Sequence, residues 1–369
     1  MAGQLKKYAF LNAKLKTRIG KLTPSRTFDA LASAKNLPEA IHLLRDTPFS
    51  HACDVYERTG DLKSAELELF GREVDLYTEV ANYAEDEVKS FVLTLAVRFE
   101  IDNLKAVLRC WFERIVKERN ISRASGYLYR DRIVHAIPVD DILNADTWED
   151  LIALLSPTPY ADVLESIHPP PAESGSLFET ENALDREFYR MIFGRIEDLS
   201  PRDRQAAERL IGVEIDMRNM NRMIRLVAFN GMAPSKALAY AFPGGFALDA
   251  ATLERAIDTS GSEGGSTGSG AVDRRVPELL SAMIKSGYPE WSSLLEGDHG
   301  DTLSRYLLVE RVVGEILNGE VHKALGGYPF SIAVVSAYFI LKGNEIAKVI
   351  TILNAKYYGL SEDRVQEAM

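Results

Sequence analysis

The sequence predicts an all-α protein assembled from repeated helical units. Three observations carry this. Apolar residues recur at helical spacing along most of the 369 residues. Strict apolar–polar alternation, the mark of a half-buried strand, is nearly absent. One helical phrase also recurs more than a hundred residues further on.

The elements follow in order. "MAGQLKKYAFLNAKLKTRIGKL" is amphipathic and lacks the continuous apolar core of a signal peptide. "TPSRTFDAL" signs a helix start, with Thr23 as a cap before Pro24. The stretch from Ser64 to Glu118 reads as two or three long helices; Leu62, Leu69, Leu76, Val80 and Tyr83 fall on or near one face. "SIHPPPAESGS", residues 166–176, is a proline-rich connector. "LSPRDRQAAERLI" starts a helix at Ser200 and Pro201, and "LSEDRVQEAM" starts one at Ser361. Residues 258–273, rich in Gly and Ser, form a linker: no strand precedes them and no GK[ST] follows, so they are not a phosphate loop.

Composition excludes several classes. A net charge of −11, with no basic stripe, argues against a nucleic-acid partner. Glu113–Arg123, read as the most basic local stretch, is broken by glutamates. Two isolated cysteines, Cys53 and Cys110, predict core thiols in a reducing compartment. The longest nearly apolar run, Ser331–Leu341, is far short of the roughly 20 residues that span a bilayer.

The repeats are read from an apolar spine. Asn103-Leu104-x-x-Val107-Leu108-Arg109 matches Asn219-Met220-x-x-Met223-Ile224-Arg225, and in the same register Glu100 coincides with Asp216. A weaker third copy sets Glu345-Ile346-x-x-Val349-Ile350 on Asn219-Met220-x-x-Met223-Ile224. "LLRDTPFS", at 43–50, returns as "LLSPTPYA" at 154–161, and "IKSGYPEWSSLL" at 284–295 echoes both. "LELFGREVDLYTEV" similarly resembles "NALDREFYRMIF" and "LLVERVVGEIL". The period exceeds that of short solenoids, so domain-sized units are expected: residues 1–130, 131–240, and 241–369 with a flexible insert near 259–272.

Catalytic constellations are weak. The six histidines form no HExxH or other i,i+4 pair, and no GxSxG or Cys-His arrangement occurs. Asp140 and Asp141 beside Asn144 could begin a metal–diphosphate motif, but no second acidic motif accompanies them. No cofactor, metal or small-molecule substrate is expected.

The opening segment "YAFLNAKLKTRIGKLTPSRTFDALASAKNLPEAIHLLRDTPF", the inner helices "FEIDNLKAVLR" and "IDMRNMNRMIR", and the closing "ILKGNEIAKVITILNAKYYGLSEDRV" together carry a family likeness. The chain resembles the C subunits of V-type (archaeal-type) ATP synthases and ATPases, the family that includes the d subunit of the eukaryotic vacuolar enzyme. Where that family often closes on Glu-x-x-Asn-Leu-Arg, this chain has Gly343-Asn344-Glu345-Ile346-Ala347-Lys348. The resemblance implies three similar helical domains around a pseudo-threefold axis, forming a funnel with a central opening. It implies a non-catalytic central connector, a socket coupling the D- and F-type central-stalk subunits to the membrane proteolipid ring for proton or sodium transport. It further implies a cytoplasmic place, peripheral to the membrane and not inserted in it. On that reading Glu100, Asp102, Arg109, Asp216 and Arg225 are candidate partner-binding residues; the alternative sets them at exposed positions or at contacts between units. A soluble helical scaffold without a membrane partner is the competing function.

Overall fold

The computed structural model describes residues 2–167, 176–259, 269–295 and 302–367. Among them every regular element is a helix. The chain opens with α1 (Ala2–Ile19), α2 (Ser25–Ser33), α3 (Leu37–Leu43), α4 (Ser50–Thr59), α5 (Leu62–Ala81) and α6 (Asp86–Ile115). Short helices α7 (Ser122–Ser125), α8 (Val139–Asn144), α9 (Trp148–Leu155) and α10 (Tyr160–Glu165) lead to α11 (Phe178–Glu197). Next, α12 (Pro201–Met223) runs into a π-helical turn, Ile224–Phe229. Then come α13 (Pro234–Leu238), α14 (Ala250–Thr259), α15 (Ser269–Gly287), the 3-10 turn Pro289–Leu295, α16 (Thr302–Gly326), α17 (Ile332–Tyr357) and α18 (Glu362–Glu367). Most of the proline-rich connector (168–175) and of the Gly/Ser insert (260–268) lies outside the described residues. No helix among the described residues is long and apolar enough to cross a membrane.

The chain packs as two compact units, Ile41–Leu199 and Met1–Ala40 with Ser200–Met369. In the first, α6 is the inner helix. Phe91, Ile101, Leu104, Val107 and Leu108 are each at most 1% exposed, and α5 and α11 pack along it. A fully buried Leu or Phe stabilises by about 1.5–3 kcal/mol, so this helix is held by its packing rather than by propensity. The face expected on α5 is present: Leu62, Leu69 and Val80 are buried, Leu76 and Tyr83 half-buried. Asp61 caps α5 by accepting from Ser64 N at 3.0 Å. Thr147 and Asp150 form a reciprocal capping box on α9.

In the second unit α12 and α17 are the inner helices. From Leu210 to Met217 α12 is buried on every side, which is why its sequence shows little amphipathicity. The helix α16 packs on both, and α1, whose Tyr8, Leu11 and Leu15 are buried, packs along α17. Ser200 caps α12 as expected, with Pro201 in its first turn. Asp203, fully buried, joins three helix ends. Its Oδ1 accepts from Ile332 N at 2.9 Å, and its Oδ2 accepts from Gln4 Nε2 at 3.2 Å and Ser200 Oγ at 2.8 Å. Thr23, read as a helix cap, is not one: α2 begins at Ser25 after Pro24, without a side-chain cap bond. The Thr23 backbone N–H goes instead to Glu345.

Candidate functional site

Each inner helix carries, at one shared position, a buried carboxylate that holds the backbone shortly before another helix. On α6, Glu100 is 1% exposed. Its Oε2 accepts from Val134 N at 2.8 Å and His135 N at 2.6 Å, just ahead of α8. Its Oε1 accepts from Tyr160 OH at 2.6 Å and lies 2.6 Å from His135 Nδ1. On α12, Asp216 is fully buried. It accepts from Ala247 N at 2.7 Å and Leu248 N at 3.1 Å, just ahead of α14, and from Tyr288 OH at 2.6 Å. Backbone N–H groups taken out of water need such acceptors, since an orphaned buried amide costs about as much as a lost hydrogen bond.

One turn along, an asparagine completes each of these two latches. Asn103 donates to Tyr129 O at 2.8 Å and accepts from Tyr129 N at 3.0 Å. Asn219 does the same for Phe242, at 2.8 and 2.7 Å. The pairs 100/216 and 103/219 share one register, 116 residues apart, so residues paired by sequence hold the same structural posts.

The third copy needs a different register. Buried positions run 100, 101, 104, 107, 108 on α6; 216, 217, 220, 223, 224 on α12 and its π turn; and 345, 346, 349, 352, 353 on α17. Glu345 therefore matches Glu100 and Asp216 rather than Asn219. It is 5% exposed, and its Oε1 accepts from Thr23 N at 2.6 Å, just ahead of α2. The segment it holds thus comes from the opening of the chain. Lys342, one turn back, bonds its other oxygen.

The two best-matched acids have opposite electrostatics. Burial works against ionisation of Glu100, but the bonds from His135, Tyr160 and two backbone amides outweigh it and hold its pKa below the usual range. At Asp216 burial wins over the bonds from Tyr288 and the amides, and the pKa is raised. Burial first, then the adjacent carboxylate, pushes both tyrosine hydroxyls upward. Glu100 therefore contributes stability that is present above its unfolded value of about 4.3 and is lost as pH falls through its folded pKa. Asp216 contributes stability that is present below about 3.9 and is lost as pH rises through its folded pKa. In denaturant titrations from acid to neutral pH, the stability gap between wild type and Glu100→Gln widens with pH, and the gap to Asp216→Asn narrows. Parallel slopes would contradict this assignment.

The remaining candidates lie nearer the surface. Asp102, 51% exposed at its side chain, pairs with Lys105 at 2.7 Å. Arg109 forms a two-pronged pair with Glu181 of α11, at 2.6 and 2.8 Å. Its counterpart Arg225 is exposed on the π turn, and among the described residues no side chain pairs with it. Asp140, the candidate metal-motif residue, pairs with Arg130 at 3.0 Å in the first turn of α8. Sequence reasoning missed Tyr160, Tyr288 and His135 as partners of the acids. A tyrosine beside proline in two echoing phrases was the available signal for the first two.

The profile of the family described as ATP synthase (C/AC39) subunit matches residues 11–368. The C subunit of the A-type ATP synthase of Methanocaldococcus jannaschii is 21% identical over all of this chain and 88% of its own length. That of Methanothermobacter thermautotrophicus is 20% identical over 98% of the chain and 87% of its own. The corresponding protein of Methanosphaera stadtmanae is 26% identical over 60% of the chain, a match spanning 55% of that relative.

Proposed function

The chain belongs to the ATP synthase (C/AC39) subunit family, and from that premise we propose that it is a non-catalytic subunit of an A-type rotary ATP synthase. It acts as the central connector at the cytoplasmic face of the membrane. It couples D- and F-type stalk subunits to the proteolipid ring and so links ATP turnover to ion transport. One observation supports the mechanical role above others: a buried carboxylate on each of three inner helices grips the backbone leading into another helix. A part that passes torque must resist shear between its helices. Fixed, desolvated acceptors aimed at backbone amides provide such resistance without a cofactor.

In the threefold division we propose, 1–130, 131–240 and 241–369, the latches of Glu100 and Asp216 each tie one segment to the start of the next. The latch of Glu345 ties the last segment to the first through Thr23. Partner contact falls to the exposed Asp102, Arg109 and Arg225. Glu100 and Asp216 act from behind, fixing the helices that present them. A mild-detergent pull-down of the tagged chain from its own cells is expected to bring stalk and ring subunits in fixed proportion. Deletion is expected to leave ATP hydrolysis by the soluble head but to abolish ion pumping. A clean monomer, or pumping that persists in the deletion strain, would refute the connector role.

A further inference from the structure

Charge is segregated along this chain. The whole carries −11, yet residues 1–28 contain seven Lys and Arg and no Asp or Glu. This segment, not Glu113–Arg123, is the more basic stretch, which corrects the reading that the sequence lacks a basic stripe; folded, it acquires a direction. The inner face of α1 is fixed: Tyr8, Leu11, Asn12 and Leu15 are buried, and Gln4 Nε2 bonds Ser200 Oγ at 2.9 Å.

The outer arc is Leu5, Lys6, Ala9, Phe10, Ala13, Lys16 and Thr17, all exposed. Phe10 is 65% exposed and Leu5 48%, among the largest exposures of apolar side chains in the chain. Lys14 Nζ lies 5.9 Å from the Phe10 ring centre, and Lys21 and Arg26, beyond the helix, are exposed. Among the described residues no carboxylate pairs with Lys6, Lys16, Lys21 or Arg26.

We infer that this outer face of α1 binds a surface of anionic lipid headgroups. At about 100° per residue, Lys6 and Lys16 lie inside the arc with Ala9 and Ala13, and Leu5 and Phe10 stand at its two edges; a cationic strip bordered by apolar side chains suits the headgroup layer of a membrane interface. The ammonium groups meet the phosphates, while the lysine stems and the flanking Leu5 and Phe10 lie along the headgroup layer. Lysine dominates the strip, and lysine is a point charge suited to a diffuse phosphate layer. An acidic protein partner would be better matched by arginine forks. Only the nearness of a membrane rests on the proposed function; the contact itself depends on α1 alone.

The test is co-sedimentation of the full chain with vesicles of phosphatidylcholine, with and without about one-third phosphatidylglycerol, at about 0.1 M salt where exposed charges are screened beyond about 10 Å. Binding is expected only with the anionic lipid, weakening as salt rises. Lys6→Gln/Lys16→Gln/Lys21→Gln is expected to lower the partition coefficient at least about tenfold, since each lysine near such a surface contributes several-fold. Phe10→Ser is expected to lower it too, with unchanged helicity. No binding to anionic vesicles overturns the inference, as does equal binding by the triple variant. Binding to an acidic polypeptide or to nucleic acid but not to vesicles also overturns it. Because the vesicle assay contains no stalk or ring subunit, its failure is separable from failure of the pull-down.

Discussion

Glu100→Leu is expected to lower the free energy of unfolding by about 3–5 kcal/mol, the range for removing one partner from a buried, hydrogen-bonded ionic network. The leucine fills similar space, so little of the loss comes from a cavity. It comes from Val134 N, His135 N and Tyr160 OH, all aimed at a carboxylate no longer there. Unsatisfied buried donors cost about 1–3 kcal/mol each unless the loop shifts to reach water. Tyr160→Phe removes only one of these bonds and is expected to cost about 0.5–1.5 kcal/mol. Chemical denaturation of the two variants separates the cases. A loss under about 1 kcal/mol for Glu100→Leu would mean that the loop at 134–135 holds itself, and the latch reading would fail.

How far the sequence showed this depended on what fixes a helix face. The apolar spine of 103–109 and 219–225 set Glu100 on Asp216 in the correct register, because packing demands the same buried positions on both helices. On α17 the polar markers differ: Lys348 and Asn354 stand where α6 has Asn103 and Arg109. A slip of three residues nearly preserves a helical face, so the apolar letters alone left Glu345 one turn out of place. Whether an acid points inward was not legible either. Glu100 and Asp102 are two residues apart on one helix, yet one is buried and the other half-exposed. The donors that allow Glu100 to be buried lie 34, 35 and 60 residues away, beyond the reach of any local pattern.

The Asp216 latch has a weak point that Glu100 lacks, and Gly245→Ala exposes it. A Cβ on Gly245 would lie 2.2 Å from Asp216 Oδ1 and 2.8 Å from Leu248 O, distances that real atoms do not tolerate. The neighbouring backbone has little freedom to yield: Gly244 sits at φ +90, and Phe246 N bonds Gly212 O at 3.3 Å. Gly212 itself could carry no side chain without pressing on Phe246. The carboxylate must therefore move, loosening its bonds to Ala247, Leu248 and Tyr288 together. A loss of about 2–4 kcal/mol is expected, in the range of overpacking combined with a broken buried network. The mechanism has its own control. In an Asp216→Ala background the nearest clash is gone, so Gly245→Ala is expected to cost less than it does in wild type, with a coupling of about 1 kcal/mol or more. Additive losses in that double-mutant cycle would place the cost in the Leu248 backbone contact, and the close approach of Gly245 to Asp216 would no longer explain why glycine is needed there.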